Sequence, residues 1–350
     1  MKSERRYDIE LLRILAMLSI VMGHCFAIYG VWETSLSLEL SSEYRLYCGV
    51  NPILIYWALP IFTAISGYLI GYRGVFASNS FNYKAFVWRK AKRLYFPAVF
   101  FSLLYALLFH REVFYDIRLL SRVFIDGQGH LWFLCMLFLL YVLAYPVYLL
   151  CQKRTKCWGM FLCSMVICIV SCFFPLGTSI FTVFFYQVFF FIGAYIGGGH
   201  KARRPREARS LWLNILARGA LYVVVFYLLS VIKESRFVTC VVERYPSFLF
   251  FQHWFFRMLI GLFAVVLTFP ILPIAVHLSR ISQRVSSLSY KIYIVHQFIL
   301  VGLLNSAVAL LMDLHQVIPL LFPVVLFGIV FIASLCISFC FLQIPILKDL

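Results

Sequence analysis

Ten long apolar runs follow one another along the 350-residue chain, at about 11–30, 51–72, 95–109, 130–151, 158–174, 178–198, 212–232, 248–272, 288–312 and 317–342. A helix needs about 20 apolar residues to cross the ~30 Å hydrocarbon core of a bilayer. Most of the runs fit one crossing each. The composition agrees, with 63% hydrophobic and only 13% charged residues, where a soluble domain carries about 25% charged. This excludes soluble domains, a disordered chain and a disulfide scaffold. A transmembrane β-barrel is excluded as well, because it would show alternating segments of about ten residues rather than continuous runs. The expected fold is an all-α polytopic membrane protein: one domain over residues 1–350, a bundle of about ten transmembrane helices.

The net charge of +17 would suggest nucleic acid in a soluble protein. Here its distribution matters more, and no nucleic-acid partner is expected. Of the 31 Lys and Arg residues, 21 flank the runs on one side and seven on the other; Arg13, Arg218 and Arg257 fall within runs. The positive-inside rule places the richer side in the cytoplasm. Both termini are then cytoplasmic, as an even number of crossings requires. Arg5 and Arg6 precede the first run, but no small-residue cleavage site ends it, so that run is expected to stay. Most of the 11 cysteines lie inside runs as small apolar filler. Cys48 and Cys240 share the outer side, which leaves a bridge between them open. No metal-ligand spacing occurs, so no metal is expected.

With short outer connections, any chemistry must sit in the membrane or at its surfaces. Ionisable residues within spans are expensive and mark candidate sites. Glu10, Arg13 and His24 lie in or beside the first run. Arg13 and His24 are 11 residues apart, a rotation of three turns plus about 20°, so they share a helix face about 16 Å apart along the axis. Glu10 lies on nearly the same stripe, one turn earlier. A cation near the cytoplasmic surface in line with a deep imidazole suits a long ligand with an anionic head and a reactive end. Coenzyme A has that shape. The plainer roles are an Arg13 that snorkels to headgroups and a His24 that hydrogen-bonds a neighbouring helix.

Four further features invite the same two-sided reading. Arg89-Lys90-Ala91-Lys92-Arg93 reads as a basic cytoplasmic loop, either a topology signal and phospholipid patch or a clamp for a phosphorylated ligand. His296 lies about 12 Å into the ninth run, as a ligand contact or an interhelical polar group. His130 opens the fourth run, followed by Trp132, which also suits an interface belt. His253 and Arg257, four residues apart on one face, suit a polar acceptor entering from outside, or pairing with Glu243 or lipid phosphate.

Together these segments resemble the acyltransferase 3 family, ten-span integral-membrane acyltransferases that modify surface glycans. Glu10, Arg13 and His24 resemble the family's Arg-x10-His signature with its preceding acid. Ile61-Phe62-Thr63-Ala64-Ile65-Ser66-Gly67-Tyr68-Leu69-Ile70 is similar to its Phe-x-x-Ser-Gly-Phe-Leu-Ile stretch. Arg89 to Arg93 with Pro97 resembles its basic loop, His130-Leu131-Trp132-Phe133-Leu134 its Leu-Trp-Phe-Leu motif, and Tyr293-Ile294-Val295-His296 its late Tyr-x-x-His stretch. The matches run in order from residue 7 to 296. One departure is lysine at 90 and 92, which keeps the charge but loses the bidentate fork of arginine.

The resemblance implies transfer of an acyl group, acetyl above all, from cytosolic acyl-CoA to a hydroxyl of a cell-surface or lipid-linked glycan, in a bacterial inner membrane. His24 and Glu10 are then the catalytic candidates. Arg13, Arg89, Lys90, Lys92, Arg93 and His296 are the candidates for holding acetyl-CoA, and His130, Trp132, His253 and Arg257 for the glycan acceptor. Membrane lipids are the other expected partner. The main rival is a transporter or flippase of a lipid-linked glycan, which predicts paired broken helices that the sequence does not show. A haem protein with His24 and His296 as axial ligands is a further rival.

Overall fold

The computed structural model describes residues 7–29, 45–152, 158–171, 178–199, 208–244, 248–269 and 280–343. Among them all regular structure is helical. The helices are α1 (Tyr7–Phe26), α2 (Arg45–Tyr72), α3 (Tyr83–Lys90), α4 (Phe96–Phe109), α5 (Ile117–Asp126), α6 (Trp132–Gln152), α7 (Trp158–Ser171), α8 (Thr178–Gly198), α9 (Ala208–Lys233), α10 (Arg236–Arg244), α11 (Phe248–Thr268), α12 (Arg280–Ser306), α13 (Val308–Val317) and α14 (Phe322–Gln343). Nine stretches among the described residues are long and apolar enough to cross a membrane. The chain is an all-α polytopic membrane protein. The basic clusters at 153–156 and 201–206 lie outside the described residues.

Three of the ten runs take a different form from the one expected. The ninth does not continue to residue 312. It ends at Ser306, where Ala307 leaves helical geometry at φ −129°, ψ 31°, and a separate short helix, α13, follows. Pro319 lacks the N–H a helix interior needs, and the tenth run starts at Phe322 instead of 317. The third run is longer than expected: a continuous helical stretch of 27 residues over Tyr83–Phe109. The basic segment Arg89–Arg93 is therefore helical, not a loop. Its second half, Ala91–Tyr95, is a π-helical turn in which Phe96 N–H reaches back five residues to Ala91 O. Pro97 leaves the Arg93 carbonyl without its usual donor four residues on and crowds it with its ring; the wider turn makes room.

The helices form two compact units: residues 1–59 with 276–350, and residues 60–275. In the first unit α1 packs against α12 and α14. α2 enters antiparallel to α1, tied by Asn51 Nδ2 donating to Gly23 O (2.7 Å) and Cys48 Sγ donating to Tyr29 O (2.6 Å). Cys48 is thus a free thiol; the Cys240 side chain lies outside the described residues. Phe26, Tyr29 and Tyr47 stack edge to face beyond the end of α1, with His315 of α13 against Tyr29.

In the second unit, the later half of α2 crosses α8 at backbone contact. A side chain at Gly67 would strike Phe190 O, at Gly71 Ala194 O, at Gly193 Ala64 O and at Gly197 Tyr68 O. Small residues four apart on both helices permit this approach, the small-xxx-small packing of membrane helices. The segment after α4 doubles back along it. Tyr95 hydroxyl donates to Phe124 O (3.1 Å) and Gln128 N–H to Ser102 Oγ (2.9 Å). The start of α6 therefore lies level with Ser102, about 10 Å short of the end of α4. Gly127 and Gly129, at φ 73° and 55°, make the sharp turn that L side chains resist.

Candidate functional site

In the first unit, α1 is unbroken from Tyr7 to Phe26. The separation of Arg13 and His24 is therefore a true helical one, about 16 Å of rise, and both side chains are partly accessible. Glu10 sits one turn before Arg13, half-buried. The structure brings His24 against His296, which is 0% exposed: His24 Nδ1 and His296 Nε2 share a hydrogen bond of 2.9 Å. His296 Nδ1 lies 2.7 Å from the carbonyl oxygen of Tyr293. Each histidine finds the interhelical hydrogen bond that its plainer role calls for, and finds it with the other. Asn51 supports this place. By holding Gly23 O it draws that carbonyl toward α2, and α1 tightens into a 3-10 turn at Ala27–Tyr29 directly after the site. Lys291 is buried on α12 at 2% exposure, five residues before His296.

In the second unit, Arg257 of α11 donates from Nη2 to the Tyr186 hydroxyl (3.0 Å), and its guanidinium carbon lies 4.6 Å from the centre of the Trp254 ring. Tyr186 also meets Trp132, with ring centres 5.9 Å apart. Two of the expected acceptor residues, Arg257 and Trp132, are thereby joined through a tyrosine. His130 is buried in the turn that leads into α6, and His253 is exposed beside Trp254. Tyr186 is buried, while Trp132, Trp254 and Arg257 are partly exposed.

The basic segment divides. Lys90 Nζ lies 3.6 Å from the centre of the Tyr141 ring and 5.6 Å from that of Phe86. Arg89, Lys92 and Arg93 are exposed, and Lys92 rests over Trp88 at 5.2 Å. At spacing i, i+3, i+4 these three share a face.

The acyltransferase 3 family model, an acyltransferase domain, matches residues 6–343. The chain belongs to the acyltransferase 3 family. No curated protein and no solved structure matched it. It is thus an acyltransferase of the membrane, and the matched region covers both units.

Within this acyltransferase 3 chain, one motif glycine gains a physical meaning: Gly67, after Ser66, is where α2 touches the backbone of α8. Sequence reasoning missed Asn51 and Tyr186. Asn51 is a lone amide at the head of an apolar run. Tyr186 opens the only Tyr-Gln pair in an aromatic stretch, and Gln187 beside it is buried, its Nε2 meeting no hydrogen-bond acceptor among the described residues. Polar atoms in such runs were the available signal.

Proposed function

We propose that this acyltransferase moves an acyl group, acetyl foremost, from cytosolic acyl-CoA to a hydroxyl of a cell-surface or lipid-linked glycan, with His24 as the general base. Both termini face the cytoplasm of a bacterial inner membrane in this reading. The observation that carries it is the pairing of Arg13 and His24 on one unbroken helix, each partly accessible. A phosphate held near Arg13 leaves an extended pantetheine arm to reach toward His24. Arg89, Lys92 and Arg93 are further candidates for the CoA phosphates, on the strength of the family resemblance. Trp132, Tyr186, His253, Arg257 and His130 supply acceptor contacts.

A sugar hydroxyl is too weak an acid to attack a thioester unaided. A neutral imidazole within about 3 Å removes its proton as the new C–O bond forms, worth about 10²–10⁴-fold in rate. The C–S bond then breaks and the proton passes to the CoA sulfur. Glu10, one turn from Arg13, orients that cation. Transfer through an acylated His24 uses the same groups.

The test is acetyl-CoA binding and hydrolysis by detergent-purified protein. Arg13→Ala should weaken binding about tenfold or more, the worth of one charged hydrogen bond. His24→Ala should keep binding and lose about 10²-fold or more in turnover. Wild-type protein with no affinity for acetyl-CoA would overturn the donor assignment and favour the flippase.

A further inference from the structure

We infer that His296 is a positioning residue: it holds the proton of neutral His24 on Nδ1 and so makes Nε2 the base. This deepens the assignment of His24 above and rests on it.

The argument starts at a backbone carbonyl. Tyr293 O can only accept, so the His296 nitrogen 2.7 Å away, Nδ1, carries a hydrogen. A neutral imidazole has one N–H, so Nε2 of His296 is an acceptor. Its partner at 2.9 Å is Nδ1 of His24, which must then donate. Neutral His24 is left with Nε2 as its basic nitrogen. The chain of protons runs in one sense, from His24 to His296 to the Tyr293 carbonyl.

Two geometric facts support this order. The ring centres are 5.1 Å apart and the planes differ by 21°. Subtracting the 2.9 Å bond leaves about 1.1 Å per ring, the distance from an imidazole centre to its own nitrogen. The rings therefore meet edge to edge and nearly coplanar, the arrangement a lone pair in the ring plane requires. The second fact is the anchor. A helical side chain leans toward the N-terminus of its helix, which brings His296 Nδ1 onto the carbonyl one turn back. Turning the ring to present its other edge to His24 would break that bond at a residue of 0% exposure. Backbone groups of Tyr293 and Ile292 bond the His296 ring, and an imidazole meets its Nε2, which suits a neutral ring.

The consequence is chemical. When His24 takes the hydroxyl proton on Nε2, Nδ1–H stays bonded to His296 and the imidazolium keeps its orientation. The same proton is then in place to pass to the departing sulfur. A fixed tautomer is the service a buried carboxylate gives in a Ser-His-Asp triad, where its loss costs about 10⁴-fold. His296 does not spend a nitrogen on CoA, the role its sequence position suggests.

The test uses the full-length protein in detergent, labelled with 15N-histidine, with the His24 signal assigned by its loss in His24→Ala. Wild type should show His24 protonated at Nδ1. In His296→Ala the His24 signal should move to the Nε2–H form, with kcat for acetyl-CoA turnover down about 10²-fold or more and KM for acetyl-CoA changed less than about threefold. His296→Gln, whose side-chain oxygen reaches the place of Nε2, should restore the Nδ1–H signal and much of the rate, and its melting temperature verifies folding. Three results would overturn the inference: a wild-type His24 protonated at Nε2, a raised KM with unchanged kcat in His296→Ala, or no change in either. Absent turnover in wild type would instead sink the proposed function, and the nitrogen signals would still report the tautomer.

Discussion

Lys90 sits with its ammonium 3.6 Å from the centre of the Tyr141 ring, while its neighbours Arg89, Lys92 and Arg93 are exposed. A five-residue segment that reads as one basic unit thus holds two kinds of cation. One fastens α3 to α6; the others lie at the surface.

Lys90→Met should therefore leave acetyl-CoA affinity within about twofold and lower thermal stability, since a cation over an aromatic face is worth about 0.5–2 kcal/mol. Arg89→Ala and Arg93→Ala should do the reverse, weakening acetyl-CoA binding and flattening its salt dependence. Titrations at two ionic strengths beside melting curves separate the two groups. Equal loss of affinity in all three variants would remove the distinction.

Gly67→Val places a side chain where Phe190 O stands. Two backbones must separate, at a cost of about 3 kcal/mol or more. The expected result is a large fall in melting temperature in detergent. Gly328→Ala, at a helical position with nothing within 4 Å, should melt at or above wild type, because alanine is the better helix former by about 1 kcal/mol. A Gly67→Val protein as stable as wild type would refute the close crossing of α2 and α8.

Asn51→Leu removes the donor that Gly23 O accepts from at 2.7 Å. A buried carbonyl without its partner costs about 1–3 kcal/mol, and the turn after His24 loses its restraint. Lower stability should come with lower turnover, because Gly23 is the residue next to His24. Asn51→Asp, which has no N–H to offer, should resemble Asn51→Leu, and melting and hydrolysis measured on the same preparation check both.

Tyr186→Phe and Arg257→Met each break the 3.0 Å bond between the hydroxyl and the guanidinium. If that bond ties α8 to α11, the double variant should be less destabilised than the two singles together, with a coupling of about 0.5–3 kcal/mol. Denaturation of the four proteins reads the coupling directly. Strict additivity would mean the contact carries no energy.

The apolar runs were legible because a bilayer imposes length and hydropathy on each crossing locally, and the family was legible because its motifs fall in order along those runs. The breaks were not. Ala307 ends α12 and Pro97 sits beside a π turn; both depend on local backbone geometry that hydropathy does not register.

By itself, the sequence determined that this is a helical membrane protein with Arg13 and His24 on one face of its first helix, since a helix fixes the relation of residues within it. Only the tertiary structure decided that His296, 272 residues away, meets His24 edge to edge, that Arg257 reaches Trp132 through Tyr186, and that Lys90 belongs to Tyr141. Periodicity orients a side chain about its own axis. Which residue faces it across the gap is set by how the helices pack, and that is written in no single run.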